Sequence, residues 1–192
     1  MDSVKDVSEN DKSNKRQNDK SFRTRILVAD IFVPITVFFA FQGGALFAVF
    51  VGFVLCVAAW EYWRIFKKGG YSPSLVVLLI AVASAVAMRF FYGMEYIELW
   101  FGILLLFSVL YHVIQQQHGN AKAASNLAMT VFGAIYLGFL GSFALSLRLL
   151  EHGLLWTLLV FPIISIADSG AYFFGRLLGK HKILTVVSPK KS

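Results

Sequence analysis

The chain has 192 residues, of which 57% are hydrophobic and only 15% charged, and its formal net charge is +7. Soluble domains carry about 25% charged residues, and the apolar residues here stand in contiguous runs, so the composition excludes an ordinary soluble domain and indicates a membrane protein. The positive charges flank the apolar runs, where they orient membrane proteins, and we therefore expect no nucleic-acid partner. A single cysteine, Cys56, excludes an internal disulfide.

Residues 1–25 are polar and are predicted to form a disordered basic tail. Residues 26–167 are predicted to form an all-α, polytopic integral membrane helix bundle of about six transmembrane helices. The six apolar segments are Ile26–Phe41, Ala45–Trp60, Leu75–Met88, Ile97–Ile114, Leu127–Leu147 and Leu154–Ala167. A spanning helix needs about 20 residues, and the first, third and sixth segments are short. Flanking arginines such as Arg25 and Arg89 are expected to snorkel and lengthen them, and five spans with one re-entrant helix is the alternative.

The distribution of lysine and arginine predicts the orientation. With a cytosolic N-terminus and six crossings, sixteen of these residues lie on the cytosolic side, and only Arg89 and Arg148 lie outside. The positive-inside rule therefore places both termini, and the whole of residues 168–192, on the cytosolic side. The loop Glu61–Ser74 is one of the predicted cytosolic loops. Its Trp-Glu-Tyr-Trp-Arg run is typical of an interfacial anchor.

Small residues recur four positions apart in two of the predicted helices. The stripes are Ala48, Gly52 and Cys56, and Ala134, Gly138 and Ser142. Such stripes allow helix backbones to approach closely, so we interpret them as packing surfaces rather than as ligand sites. The sequence leaves open whether they pack within one chain or across a homodimer. Four scattered histidines show no metal-ligand spacing.

The residues after the last apolar segment carry the strongest functional signal. Asp168 could hold a Mg²⁺ ion against phosphate oxygens, or it could simply cap a helix. Ser169 and Gly170 could bring backbone amides close to an anion, or could only mark a helix entry. The cations could bind a triphosphate or a lipid headgroup, or could anchor the chain to anionic lipids. These cations are Arg176, Lys180, Lys182, Lys190 and Lys191.

The run Asp168-Ser-Gly-Ala-Tyr-Phe-Phe-Gly-Arg176, with Gly179-Lys-His-Lys182 and Ser188-Pro-Lys-Lys-Ser192, closely resembles the bacterial phosphatidate cytidylyltransferases. The resemblance extends upstream through Ala58-Ala-Trp-Glu-Tyr-Trp63 to residue 22. It implies that the protein joins CTP to phosphatidic acid with Mg²⁺, giving CDP-diacylglycerol and pyrophosphate. It also implies an integral protein of the bacterial inner membrane whose active site faces the cytosol.

The resemblance assigns roles to individual residues. Asp168 would be the catalytic and metal-binding acid. The substrate-binding residues would be Ser169, Gly170, Arg176, Lys180, Lys182, Ser188, Lys190 and Lys191. The family usually continues past this point with a Trp-Glu-Gly run and a later signature that contains Lys-Arg and Lys-Asp pairs. We therefore expect residues 168–192 to be the start of a catalytic region, and the 192-residue chain alone to have little or no activity.

Two other interpretations use the same residues. The protein could be a non-catalytic membrane scaffold or one half of a transporter, with a basic end that only anchors it to lipid. A transporter would be expected to carry polar residues at helix midpoints or paired broken helices, which these segments lack apart from Asp30 and isolated hydroxyl residues. A lipid or polyprenol kinase that uses CTP would share the substrates but not the run at Asp168.

Overall fold

A computed structural model describes residues 32–117, 119, 121–160, 163 and 170. The chain divides into two units, residues 1–42 and residues 43–192. The described part of the first unit is one short apolar helix, α1, at Phe32–Gln42. The predicted tail at residues 1–25 lies outside the described residues.

The described part of the second unit consists of helices and short turns. These are α2 at Gly44–Lys68, α3 at Leu75–Tyr92, α4 at Ile97–Gln117, α5 at Ala123–Gly133, a π-helical segment at Ala134–Leu140, α6 at Phe143–Leu149, and α7 at residues 153–160. Four stretches are long and apolar enough to cross a membrane: α2, α3, α4 and the run Ala123–Leu149. The predicted all-α integral membrane fold is confirmed. The first and sixth apolar segments lie partly outside the described residues, so the total of about six crossings stays a prediction.

Two helices are longer than the apolar runs that predicted them. Helix α2 continues through Lys68, so the prediction of a loop over Glu61–Ser74 is wrong for its first eight residues. A tertiary contact stabilises this extension of α2, since the hydroxyl of Tyr62 donates a hydrogen bond to the carbonyl of Met129 at 2.8 Å. Helix α3 has 18 residues and ends at Gly93, whose φ of 65° suits glycine. It reaches spanning length without the contribution from snorkelling that the short segment required.

Helix α3 is the centre of the second unit, with α2, α4, α5, the π-helical segment and α6 packed against it. The core is built largely from small and branched apolar side chains on facing helices. Its buried members are Ala59, Leu78, Ala81, Val82, Ala85, Trp100, Leu104 and Ala134. The indole N–H of Trp100 donates to the hydroxyl of Ser84 at 3.0 Å, so the one polar atom of this ring is paired inside the core.

Both small-residue stripes serve packing inside the chain. Gly52 faces Val86 of α3, with 3.4 Å between an added Cβ and Cγ1 of Val86. Gly138 brings the π-helical segment still closer, since an added Cβ would lie 3.2 Å from the Cα of Val82. The packing interpretation is confirmed. Because the stripes are used within the chain, they give no support to a homodimer, which stays a prediction.

Candidate functional site at one end of the bundle

The predicted site residues lie outside the described residues, with one exception. Gly170 is helical and partly buried, and no atom lies within 4 Å of a Cβ added to it. The others are Asp168, Ser169, Arg176, Lys180, Lys182, Ser188, Lys190 and Lys191. Their roles stay predictions. The described helices themselves form a polar, cation-rich end of the bundle.

The α2–α3 turn and the start of α5 are joined at this end. The backbone N–H of Ser72 donates to Oδ1 of Asn126 at 2.8 Å, and that of Ser74 donates to the hydroxyl of Thr130 at 3.0 Å. The ammonium group of Lys122 donates to the carbonyl of Gly70 at 3.0 Å. The remaining amides of the turn bond back to α2, at Gly69, Gly70 and Tyr71. Every backbone N–H from 69 to 74 therefore has a partner except at Pro73, which has none to offer, and the turn is held rigidly.

A buried polar network continues from this turn into the bundle. The Thr130 hydroxyl lies 2.8 Å from the carbonyl of Asn126 and 3.3 Å from Nε2 of His112. The other ring nitrogen of His112, Nδ1, lies 2.8 Å from the carbonyl of Ser108. Because a carbonyl only accepts, Nδ1 donates to Ser108, and the Thr130 hydroxyl donates its single proton to the carbonyl of Asn126. The network thus connects α3, α4 and α5 through one threonine.

Two side-chain atoms in this region have no hydrogen-bond partner among the described residues. They are Nδ2 of Asn126 and the hydroxyl oxygen of Ser108, on residues that are 1% and 0% exposed. The amide of Asn126 has a defined orientation, because Oδ1 accepts the bond from Ser72 and a flipped amide would place N–H against N–H. Its –NH₂ group is therefore a buried donor with nothing to donate to, which is costly unless a partner arrives.

Cations and aromatic rings surround the same end. Lys67 lies over the ring of Trp63 with Nζ 4.5 Å from the centroid, and Lys122 lies over Tyr71 at 4.9 Å. Residues 62–94 and 99–150 contain no Asp or Glu at all. The turn and the start of α5 are therefore an electropositive surface with an interfacial aromatic belt, which agrees with the predicted anchor.

Arg89 lies at the opposite end of the bundle and corrects one prediction. It does not snorkel, since it is 1% exposed and packs inward from the last turn of α3. Its Nε donates to the hydroxyl of Ser142 at 3.2 Å, its Nη1 contacts the sulfur of Met94, and its guanidinium lies 4.2 Å from the ring centroid of Phe143. These contacts use the planar shape of the guanidinium group, which stacks on the ring of Phe143.

Hydropathy and metal-ligand spacing do not identify the buried polar residues His112, Asn126 and Thr130. A signal was present: Ser108 with His112, and Asn126 with Thr130, are two polar pairs four residues apart within apolar helices. Residues four apart lie on one helix face, so each pair predicts a polar stripe that needs a partner helix.

No group of three His, Cys, Asp or Glu side chains that could hold a metal ion occurs in the part of the chain that the structure describes. Hydroxyl, amide and ammonium groups dominate the described end of the bundle. Such donors bind anions, and they are poor ligands for Mg²⁺, which prefers carboxylate oxygens. The predicted metal ligand, Asp168, lies outside the described residues.

The described chain is thus a polytopic helical membrane protein with a rigid, donor-rich, electropositive end. Residues 23–192 match the family model described as the cytidylyltransferase family. The chain belongs to that family. No solved structure matches it.

Curated relatives carry a more specific name. The phosphatidate cytidylyltransferase of Staphylococcus epidermidis is 28% identical over 170 residues, which cover 88% of this chain and 62% of the relative. The phosphatidate cytidylyltransferase of Mycobacterium tuberculosis H37Rv is 28% identical over 146 residues, which cover 71% of this chain and 44% of the relative. The chain spans about half the length of the curated relatives it matches.

Proposed function

We propose that this chain belongs to a phosphatidate cytidylyltransferase, which converts CTP and phosphatidic acid to CDP-diacylglycerol and pyrophosphate in phospholipid biosynthesis. One observation carries the proposal: the family match runs from residue 23 to residue 192, and so includes both the spanning helices and the run from Asp168 to Arg176. The lipid substrate is inferred from the names of the relatives. The four long apolar helices support a location in the membrane, where such a lipid is found.

The chemistry explains why such a site needs cations. A phosphate oxygen of phosphatidic acid attacks the α-phosphorus of CTP, the bond to the β-phosphate oxygen breaks, and pyrophosphate leaves. Both reactants are anions, so their approach is repulsive and the leaving group gains charge. Arg176, Lys180 and Lys182 would bind and screen the phosphates, and Ser188, Lys190 and Lys191 would complete the phosphate site. Ser169 and Gly170 would shape the backbone around them.

Asp168 is the residue that we propose to bind Mg²⁺. A carboxylate is the preferred ligand type for this ion, and the acid directly follows the sixth apolar segment. When bound, the ion would supply charge neutralisation at the phosphates. The described residues contain no group of three metal-ligating side chains, and we propose that Asp168 acts with further ligands outside them.

We place the site on the cytosolic face of the bacterial inner membrane. CTP is a cytosolic nucleotide, and the lysine and arginine distribution predicts that residues 168–192 face the cytosol. In the same topology, the α2–α3 turn and the start of α5 face the cytosol too. The described donor-rich end and the predicted catalytic segment would then lie on one side of the membrane.

The test is CTP-dependent turnover of phosphatidic acid by the full-length protein in membrane vesicles, followed as labelled CDP-diacylglycerol. We expect formation of the product to require both substrates and a divalent cation. Asp168→Asn removes the charge but keeps the size of the side chain, and we expect it to lower turnover by about 100-fold or more.

Glu95→Gln is the matched control, because Glu95 is an exposed acid in the turn between α3 and α4, at the opposite end of the bundle. It should turn over at the rate of the unmodified protein. The proposal fails if the unmodified protein makes no CDP-diacylglycerol. The role of Asp168 fails if Asp168→Asn keeps the unmodified rate.

A further inference from the structure

The start of α5 brings together several hydrogen-bond donors, of which Nδ2 of Asn126 has no partner among the described residues. Lys122 occupies the N-cap position, and its own side chain makes no capping hydrogen bond. The first amides of α5 therefore lack the oxygen that a serine, threonine or aspartate cap supplies. The helix dipole adds a partial positive charge at the same place. A helix start of this kind is suited to an anion, but by itself it does not show that one binds.

The second observation is the buried amide of Asn126. Its Nδ2 donates to nothing among the described residues, and Asn126 is 1% exposed. Side chains of a helix lean toward its N-terminus, so the amide of Asn126 lies over the first turn of α5. Oδ1 accepts the bond from the Ser72 amide at 2.8 Å, which fixes the orientation of the side chain and leaves Nδ2 as its unpartnered donor.

The third observation is the position of Lys122. Its ammonium group is held at the mouth of the same turn by the carbonyl of Gly70 and the ring of Tyr71, although the residue itself is exposed. A lysine that is already ordered loses less rotamer entropy when it binds a ligand. The surrounding charge favours an anion. The α2–α3 turn contains no acid, and neither does the stretch between Glu98 and Glu151 that includes α5.

We propose that the first turn of α5 is a phosphate-binding subsite, in which Asn126 Nδ2, Lys122 Nζ and the first amides of the helix donate to phosphate oxygens. The inference rests on the proposed function, since phosphatidic acid and CTP are then the anions present at this end. The shared chemistry is a phosphate group at the membrane surface. Its source, lipid or nucleotide, is decided by experiment.

Asn126→Asp is the decisive variant. It keeps an oxygen for the Ser72 amide but replaces the donating –NH₂ with a carboxylate oxygen that repels phosphate. The full-length protein in neutral detergent is mixed with phosphatidic acid and phosphatidylcholine in equal amounts, and the retained lipid is measured by native mass spectrometry. CTP binding is measured in parallel by equilibrium dialysis. We expect at least a 10-fold loss in one of the two measurements.

Loss of phosphatidic acid alone assigns the subsite to the lipid phosphate, and loss of CTP alone assigns it to the nucleotide. Unchanged retention of both ligands by a folded Asn126→Asp protein overturns the proposal. Ser108→Ala is the matched control, because it removes another unpartnered buried polar group, in α4 rather than α5, and should change neither measurement. If Asn126→Asp does not fold, exposed Lys122→Gln takes its place, with a loss of about 3- to 10-fold expected and no loss overturning the proposal.

Neither binding measurement requires turnover, so the two proposals can fail separately. If the full-length protein makes no CDP-diacylglycerol but retains phosphatidic acid in a manner that depends on Asn126, the proposed function fails and the subsite stands. If turnover occurs and Asn126→Asp changes neither ligand, the subsite fails and the proposed function stands.

Discussion

The guanidinium group of Arg89 is almost completely buried, and its Nη2 has no hydrogen-bond partner among the described residues. No carboxylate contacts it there, and its contacts are a hydroxyl, a sulfur and two aromatic rings. A buried cation without a counter-ion costs several kcal/mol in desolvation, and each cation–π contact returns only about 0.5–2 kcal/mol. The planar shape of the side chain, rather than its charge, is therefore what the site uses.

We expect the free energy of unfolding of Arg89→Met to lie within about 1 kcal/mol of that of the unmodified protein. Methionine fills the space between the rings and removes the unpaired charge. Arg89→Lys should be less stable by about 1–3 kcal/mol, because it keeps the charge but loses the stacking plane and the Nε donor to Ser142. Thermal unfolding of the two variants in the same detergent compares them directly. A methionine variant that is less stable than the lysine variant would show that the positive charge itself is required.

At the scale of elements, the run Ala123–Leu149 departs most from a regular helix. Its central seven residues, Ala134–Leu140, are π-helical. Gly138 lies within this segment, where it contacts the backbone of α3 at Val82. Such segments often occur at functional positions in helices. Here it lies one helix turn beyond Thr130, between the polar network at one end of the bundle and the Arg89 pocket at the other.

Two glycine substitutions separate close packing from helix propensity. In Gly138→Ala the new Cβ would lie 3.2 Å from the Cα of Val82, and a backbone atom cannot move aside, so we expect a loss of about 1–3 kcal/mol. In Gly102→Ala, in α4, no atom lies within 4 Å of the Cβ, so we expect a gain of about 0.5–1 kcal/mol from propensity. Thermal unfolding in one detergent measures both. Equal effects of the two substitutions would contradict the packing argument.

Hydropathy alone predicted the four long spans, because a run of about 20 apolar residues has few alternatives to a membrane helix. It could not predict that α2 continues to Lys68, since that extension depends on Tyr62 contacting Met129 in a distant helix. It also misplaced Arg89, because a helix end that faces protein and one that faces lipid look alike in sequence. The candidate site at residues 168–192 came from motif resemblance, whereas the subsite at Asn126 required knowledge of which atoms lack partners.

At the scale of the whole molecule, the two ends of the second unit differ in chemistry. One end has the α2–α3 turn and the start of α5, joined through Lys122, Asn126 and Thr130. The other end has Arg89, Ser142 and Met94 in contact, with its cation buried. Exposed cations are concentrated at the first end. Such an asymmetry is consistent with the proposed binding of two anionic substrates on one side of the membrane.

The orientation of this asymmetry is the last prediction. In a Cys56→Ser background, Ser72→Cys places a thiol in the α2–α3 turn, and Glu95→Cys places one at the opposite end, both at exposed positions. Sixteen lysines and arginines against two favour a cytosolic α2–α3 turn. A membrane-impermeant maleimide added to intact cells should therefore label Glu95→Cys at once and Ser72→Cys only after the membrane is permeabilised. The reverse pattern would place the donor-rich end outside the cell, away from CTP, and would remove the basis for both the proposed reaction and its phosphate subsite.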